Sequence, residues 1–318
     1  MMAGSIASGL CSGESTTSGE QRRPCCLIWS AGLNVSAPAE LLVAPERLKR
    51  LLASGSCVAA DCRYDLGKPG AGRQSFLGGH IPGAHYADLG SDLSSPVTST
   101  SGRHPLPSPA AFADFLSRIA WTRKVLLVAY DERNNAIAAR LWWLMRYFGC
   151  AAVLLDGGLE AWTRAGLTLE AGSTSCAPTA VPRLQPDASL TAVAADIVSS
   201  LARPSLTLVD ARAPERFSGD VEPLDTRAGH IPGALNRPLG LNLDSSGCFK
   251  APAGLKQEFE ALLNHRSPAS VVHSCGSGVT ACHNRFAMEL AGLGTTRVYP
   301  GSWSEWIRDP LRPIETGR

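Results

Sequence analysis

The cysteine whose sequence context most favours chemical reactivity is Cys275. It lies in the segment HSCGSGVTACHN (273–284), where Gly276 and Gly278 follow an apolar run. A cysteine in such a place can be a nucleophile, a metal ligand, half of a disulfide or a small buried residue. Glycines let the backbone adopt positive φ, and a tight loop that leads into a helix points several N–H groups at one place. Such a nest stabilises a thiolate or another anion, and therefore the pattern favours a nucleophile.

Three other uses of the same cysteine are weaker. A cysteine phosphatase needs an arginine after five intervening residues to grip phosphate, and Ala281 occupies that position. Zinc could bind Cys275, Cys282 and His283, but no matching Cys/His pair follows. A disulfide between Cys275 and Cys282 would require distortion of the loop, so we expect it only as an inactivated form.

The sequence contains an internal duplication. Matching segments occur in the same order, displaced by about half the chain: GHIPGA at 79–84 and 229–234, VLLVAYD (125–131) with SVVHSC (270–275), and LLDGGLEAW (154–162) with VYPGSWSEW (298–306). This order predicts two duplicated domains rather than a short-period repeat. The GHIPGA segments are typical of rigid turns, so we interpret His80 and His230 as structural.

A proline-containing segment separates the two halves. Pro178, Pro182 and Pro186 exclude helix and central strand there, which predicts an extended linker. The predicted organisation is a flexible Ser/Gly-rich N-terminal extension, domain 1, the linker and domain 2, at 1–37, 38–170, 171–188 and 189–318.

Each half alternates short apolar runs with helical periodicity. The runs of strand length are 57–61, 125–130 and 152–155 in domain 1 and 206–209, 270–274 and 297–299 in domain 2. Apolar residues at helical spacing follow the second run of each half, over 137–148 and 279–293. The fold class is therefore α/β, with a parallel sheet flanked by helices in each domain. Cys275 falls at the carboxyl end of a strand, where sites gather in such sheets.

The duplication also allows the cysteine loop to be compared with the corresponding loop of domain 1. Alignment of the halves places Asp131 opposite Cys275, and Glu132, Arg133 and Asn134 replace the glycine-rich stretch. Domain 1 thus keeps the scaffold without the reactive loop, and we predict that it is non-catalytic.

Composition excludes several functional classes. The 318 residues carry a net charge of +2, which provides no basic excess for nucleic acid. The most apolar stretch contains Arg146 and Gly149 and is too short to span a membrane. Ten cysteines occur without a C-x-x-C pair or a signal peptide, so we expect reduced thiols and a cytoplasmic location.

Taken together, the motifs resemble one family. GHIPGA in two copies, DARAPERFSG, CGSGVTA and the terminal GSWSEW are similar to the tandem rhodanese-type sulfurtransferases, most closely the 3-mercaptopyruvate branch. The resemblance spans nearly the whole chain after the first ~35 residues. It implies two rhodanese-like domains and a ping-pong reaction through a persulfide on Cys275, without metal or organic cofactor.

The resemblance also implies roles for the residues of the cysteine loop. Backbone N–H groups from Gly276 through Thr280, a stretch that includes Gly278 and Val279, would hold the anionic persulfide. The hydroxyl groups of Ser277 and Thr280 would act as further donors.

Donor binding requires cations, because donors of this family are small anions. Arg216 matches the substrate-binding arginine of the family, and a guanidinium binds a carboxylate in bidentate fashion. Arg227 is the nearest candidate for the second arginine, whereas Arg212 is interpreted as part of a structural ion pair.

The mercaptopyruvate branch is associated with a Ser–His–acid relay, and here Ser277 and His104 match the first two members. Gly90 occupies the acidic position, and Asp88 and Asp92 flank it out of register. His104 is therefore either a relay member, a direct substrate contact or an ordinary loop histidine.

The uncharged Gly276 and Ser277 after the cysteine favour 3-mercaptopyruvate as donor, since a dianion such as thiosulfate suits basic residues there. Thiosulfate remains the alternative donor, and the acceptor is expected to be a thiol such as thioredoxin, or cyanide. An alternative of another class is a rhodanese-like sulfur-carrier or binding module without turnover.

Overall fold

The computed structural model describes residues 41–317. The predicted N-terminal extension, 1–37, lies outside the described residues, as do the first residues assigned to domain 1 (38–40). Within the described part, no helix is both long and apolar enough to cross a lipid bilayer.

Domain 1 contains a sheet of five parallel strands. The strands are β1 Leu42–Val43, β2 Cys57–Asp61, β3 His85–Tyr86, β4 Leu126–Tyr130 and β5 Ala152–Leu155. Their spatial order is β1-β5-β4-β2-β3. The helices are α1 Pro45–Ala53, α2 Ala71–Gly78, α3 Pro109–Arg118, α4 Ala138–Tyr147 and α5 Gly158–Arg164. Every residue of β4 and β5 is buried, as expected of strands inside a parallel sheet covered by helices.

Domain 2 repeats this plan with four parallel strands. The strands are β6 Thr207–Asp210, β7 Leu235–Asn236, β8 Val271–Ser274 and β9 Arg297–Val298, in the order β7-β6-β8-β9. The helices are α6 Ala194–Ala202, α7 Pro214–Ser218, α8 Pro252–Leu263, α9 Ala281–Leu290 and α10 Ser302–Trp306. β8 and β4 hold corresponding inner positions, and a helix begins a few residues after each of them.

The predicted α/β class with two parallel sheets is confirmed. All six predicted strands are present, each within one residue of its predicted ends. The prediction missed β1, β3 and β7, which have two residues each. A two-residue strand is too short to show alternation or an apolar run, and it forms because the neighbouring strand offers it backbone partners.

His80 and His230 have equivalent structural contacts in the two domains. Each Nδ1 lies 2.8 Å from a backbone oxygen, of Phe76 or Phe217 respectively, and each ring stacks on that phenylalanine. Their backbones also pair with chain segments near the end of each domain. The two histidines therefore anchor the GHIPGA turns, as the sequence predicts.

Helices α4 and α9 pack against each other and join the domains. The rings of Trp142 and Phe286 meet edge to face with centroids 4.8 Å apart, and both side chains are fully buried. Arg146 and Glu289 form an ion pair across the same contact. Loss of one such buried aromatic side chain costs about 3–5 kcal/mol, so this contact firmly holds the loop before α9 against domain 1.

The predicted linker contains neither helix nor strand from residue 171 to 187 and is tied to domain 1. Leu184 is buried, the Ser117 hydroxyl donates to Thr179 O at 2.7 Å, and the Asp187 N–H donates to Tyr147 O. These bonds fix the path by which the chain enters domain 2.

Candidate active site

The cysteine loop connects β8 to α9. Cys275 follows the strand directly and is only 2 % exposed. The Gly278 N–H donates to Cys275 Sγ at 3.1 Å. Gly278 has φ of +77°, and a β-carbon there would lie 2.2 Å from Pro300 O. No residue except glycine fits this position, which explains why the N–H can reach the sulfur.

Further backbone donors of the loop have no protein partner. Among residues 41–317, the N–H groups of Gly276, Ser277, Val279 and Thr280 form no hydrogen bond. Gly276, Ser277 and Val279 are buried, and Thr280 is half-buried. Buried N–H groups are nearly always paired, so a run of unpaired donors beside a thiol is suited to binding an anion.

The corresponding loop of domain 1 holds an anion of its own. The Asp131 carboxylate is buried and accepts hydrogen bonds from the N–H groups of Asn135 at 2.8 Å, Ile137 at 2.9 Å and Ala138 at 3.3 Å. The same strand–loop–helix geometry therefore gathers backbone donors around negative charge in domain 1. In domain 2, Cys275 stands at the place of that carboxylate.

The GSWSEW segment supports the cysteine loop from beside it. The Ser302 hydroxyl accepts from the Cys275 N–H at 3.1 Å and donates to Tyr299 O at 2.8 Å. The Trp303 N–H donates to Cys275 O, and the Ser304 N–H donates to Gly276 O. The sequence predicts no role for this motif, and in the structure it holds the backbone of Cys275 and Gly276 in place.

Ser277 and His104 meet across the domain boundary, with Nδ1 of His104 2.8 Å from the Ser277 hydroxyl. Burial, assisted by Arg140 and Arg103, lowers the pKa of His104 to about 4. The imidazole is therefore neutral at pH 7 and forms a neutral hydrogen bond with the Ser277 hydroxyl.

The acidic relay position contributes no carboxylate to this pair. Asp88 accepts from the Gly90 N–H, and Asp92 accepts from the Asp88 N–H and pairs with Arg118. No carboxylate in the described part of the chain hydrogen-bonds to His104. The arrangement among residues 41–317 is a Ser–His pair without a carboxylate bonded to the histidine.

Two arginines lie above the residue that follows the cysteine. A β-carbon on Gly276 would lie 2.9 Å from Nη2 of Arg103 and 3.5 Å from Nη1 of Arg216. Arg216 donates to Glu222 at 2.7 Å and to Asp225 at 3.2 Å, and Arg103 also pairs with Asp225. Arg216 was singled out from its motif. Arg103 was missed, although it directly precedes His104, because nothing in its own segment places it beside the loop.

The other two arginines considered from the sequence make contacts with Asp210, Gly229 and Trp303. Arg212 pairs with Asp210 at 2.9 Å, donates to Gly229 O and lies over the Trp303 ring, as expected of a structural ion pair. Arg227 is half-buried, and its backbone oxygen accepts from Trp303 Nε1. Its role in donor binding stays a prediction.

A second residue that the sequence did not reveal is Arg140, on α4 of domain 1. Its fully buried guanidinium donates to Gly278 O at 3.1 Å and to His104 O at 3.2 Å. It therefore fixes the cysteine loop and the histidine segment to each other. Beneath the loop, burial raises the pKa of the Cys282 thiol to about 12, so that this thiol is protonated.

The residues considered for zinc do not converge. The His283 ring nitrogens lie 3.0 Å from Asn134 O and 3.1 Å from the Asn242 side-chain amide nitrogen. Within the described residues, no group of three or more His, Cys, Asp or Glu is placed to hold a metal ion. The seven cysteines that the structure describes are all free thiols.

The fold and this loop define a two-domain α/β protein with a thiol-bearing anion cradle in its second domain. The family model described as "Rhodanese-like domain" matches residues 44–165 and 193–309. The chain belongs to the rhodanese family.

Related proteins are named for two different sulfur donors, 3-mercaptopyruvate and thiosulfate. A Pseudomonas aeruginosa protein named "Probable 3-mercaptopyruvate sulfurtransferase" is 48% identical over 282 residues, 88% of this chain and 99% of that protein. The chicken protein (Gallus gallus) named "Thiosulfate sulfurtransferase" is 35% identical over 241 residues, 74% of this chain and 81% of that protein. The solved structure of 3-mercaptopyruvate sulfurtransferase from Leishmania major has a TM-score of 0.76 at 30% identity, covering 86% of this chain and 75% of that one.

Proposed function

We propose that the protein is a sulfurtransferase that moves sulfur from 3-mercaptopyruvate to a thiol, such as that of thioredoxin, or to cyanide. Cys275 carries the sulfur as a persulfide. The observation that supports this most directly is the loop itself, in which Gly278 N–H donates to Cys275 Sγ and neighbouring N–H groups remain unpaired. The 48% identical relative is named for the same donor.

The first half-reaction forms the persulfide. The Cys275 thiolate attacks the donor sulfur, a new S–S bond forms, and the C–S bond of 3-mercaptopyruvate breaks. The electron pair of that bond remains on carbon as the enolate of pyruvate, and the proton of the donor thiol moves to this carbon. The products are pyruvate and an anionic persulfide, with atoms and charge balanced.

The second half-reaction regenerates the thiolate. Cyanide attacks the outer sulfur of the persulfide, the S–S bond breaks, and thiocyanate leaves with Cys275 again as the thiolate. A thiol acceptor removes the same sulfur and leaves as its own persulfide. Both half-reactions place negative charge on sulfur at the centre of the loop, where backbone N–H groups stabilise it.

The residues around the sulfur have distinct roles in this proposal. Arg216 binds the donor carboxylate, and Arg227 is a further residue that binds the donor. Ser277 and His104, 2.8 Å apart, offer a hydroxyl and a neutral imidazole that can relay the proton between donor sulfur and enolate carbon.

Thiosulfate is the alternative donor, since the chicken relative is named for it. It would form the same persulfide and release sulfite. We favour 3-mercaptopyruvate because Gly276 and Ser277, directly after the cysteine, add no cation to the loop.

The test compares wild type with Cys275→Ser, using Cys282→Ser as the matched thiol control. On mixing with donor in the absence of acceptor, wild type and the control should gain the mass of one sulfur atom, and Cys275→Ser should not. Cyanide should then release thiocyanate. Equal rates of thiocyanate release by wild type and Cys275→Ser would refute the proposal that the protein is an enzyme. That result would support the carrier or binding module. A tenfold higher kcat/KM for thiosulfate would overturn only the donor assignment.

We further propose that the protein works in the cytoplasm, where thiols are kept reduced. The free thiols among residues 41–317 support this location, since a reactive thiolate requires reducing conditions.

A further inference from the structure

Four charged side chains form a cluster above the cysteine loop, which we call the charged quartet: Arg103, Arg216, Glu222 and Asp225. The Asp225 carboxylate bridges the domains, since Oδ1 pairs with Arg103 of domain 1 and Oδ2 lies 3.2 Å from Arg216 of domain 2. Glu222 lies 2.7 Å from Arg216. Both carboxylates are only 4 % exposed, whereas Arg103 is 26 % and Arg216 19 % exposed. The carboxylates therefore lie deeper than the guanidinium groups that they pair with.

The quartet presents two free donors toward the nucleophile's loop. A β-carbon built on Gly276 would lie 2.9 Å from Arg103 Nη2 and 3.5 Å from Arg216 Nη1, and neither nitrogen hydrogen-bonds to any residue between 41 and 317. Arg216 Nη2, at 3.6 Å, is bonded to Glu222 and Asp225. The nitrogens bonded to the carboxylates are Nη1 of Arg103 and Nε and Nη2 of Arg216. Two N–H donors from different guanidinium groups, beside the residue after Cys275, match the two oxygens of one carboxylate.

The net charge of the quartet is zero, because two guanidinium groups face two carboxylates. Arg212, whose Nη1 lies 3.5 Å from Glu222, is itself neutralised by Asp210 at 2.9 Å. A monoanion can thus bind through directed hydrogen bonds without much net attraction or repulsion. The electrostatic energy of a bound anion scales with its charge, so the negative charge of Asp225 raises the energy of a bound dianion twice as much as that of a bound monoanion.

We infer that Asp225 shifts the selectivity of the donor site toward monoanionic carboxylates, which bind between Arg103 of domain 1 and Arg216 of domain 2. The inference rests on the proposed function and adds a residue that selects between its two donors. Asp225 holds the two guanidinium groups together and cancels part of their charge. The negative charge of Asp225 weakens binding of the thiosulfate dianion more than binding of 3-mercaptopyruvate, which is a monoanion at its carboxylate.

Binding measurements test this site without depending on turnover. In Cys275→Ser at pH 8, titration calorimetry should show tighter binding of pyruvate than of sulfate. Adding Asp225→Asn should raise sulfate affinity on the order of tenfold relative to pyruvate, since one repelling charge is removed. Asp220→Asn is the matched control, because Asp220 lies in the same loop and bonds to Ser218 instead of an arginine. Equal changes for both anions in the Asp225 variant would overturn the inference.

Arg103→Gln provides a second test that does not depend on how well the Asp225 variant folds. It should weaken pyruvate binding at least tenfold, and unchanged affinity would overturn the shared site. In the otherwise wild-type enzyme, Asp225→Asn should raise the ratio of kcat/KM for thiosulfate to that for 3-mercaptopyruvate by about tenfold. If pyruvate and sulfate bind as expected but neither donor is turned over, the proposed function fails while the anion site stands.

Discussion

Gly278→Ala tests whether the shape of the cysteine loop controls reactivity. Gly278 has φ of +77°, and an added β-carbon would lie 2.2 Å from Pro300 O and 2.8 Å from Pro300 C. These neighbours are backbone atoms, which cannot move aside as a flexible side chain would. The loop must shift, and with it the N–H that donates to Cys275 Sγ.

The size of the effect follows from three contributions. Left-handed φ costs an alanine about 1–2 kcal/mol, and overpacking costs about 1–3 kcal/mol. The free energy of unfolding should therefore fall by about 2–5 kcal/mol. A hydrogen bond to a charged sulfur contributes about 1.5–3 kcal/mol. If it is lost from the transition state, persulfide formation slows about 10- to 160-fold.

Substitutions at two other glycines serve as controls for Gly278→Ala. The three atoms nearest to a β-carbon on Gly276 are flexible ends of arginine side chains, so Gly276→Ala should mainly raise the KM for the donor. A β-carbon on Gly254, in α8, would meet nothing within 4 Å, so Gly254→Ala should leave the rate unchanged and raise stability slightly.

The assay is stopped-flow persulfide formation with 3-mercaptopyruvate, together with urea unfolding of each variant. If Gly278→Ala forms the persulfide at the wild-type rate, the Gly278 N–H does not stabilise the reacting sulfur, and our reasoning about the loop is wrong. A rate loss shared equally by Gly254→Ala would show that the effect is not specific to the loop.

Two further predictions concern the buried groups behind the site. Arg140→Met should lower the free energy of unfolding by about 2–4 kcal/mol, because the carbonyl oxygens of Gly278 and His104 lose a buried donor; thermal unfolding measures this, and an unchanged Tm would contradict it. Burial lowers the pKa values of His104, His273 and His283 to about 4, 3 and 4, below the value of about 6.5 in an unfolded chain. As the pH falls from about 6.5 toward 4, the unfolded chain binds protons that the folded chain excludes, and stability decreases by up to about 2 kcal/mol per histidine at pH 5. Urea unfolding at pH 7 and pH 5 checks this, and His273→Gln should reduce the difference.

Much of the fold could be predicted because its signals are local. The runs at 57–61, 152–155 and 270–274 are long enough to identify buried strands, and the repeated GHIPGA shows that the architecture occurs twice. The two-residue strands β1, β3 and β7 could not be predicted. Their backbones are ordered by hydrogen bonds to neighbouring strands and not by their own side chains.

The candidate site divides in the same way. Cys275 and the glycines around it were recognisable because the loop and its chemistry are contiguous in the chain. Arg216 and His104 were placed through motifs that resemble a family. Arg103 and Arg140 were not found, since each acts on a loop more than 130 residues away, and no pattern in their own segments reports that contact.

The sequence alone therefore determined that the chain is duplicated, that each half is α/β, and that only the second half carries a thiol at the end of its central strand. Tertiary structure decided what surrounds that thiol. Packing of α4 against α9 brings Arg140 onto the loop, and contact between segments 102–104 and 301–304 brings Arg103 and His104 to it. The physical reason is that a strand and its loop are specified by adjacent residues. The charges that face the sulfur instead depend on how the two domains pack together.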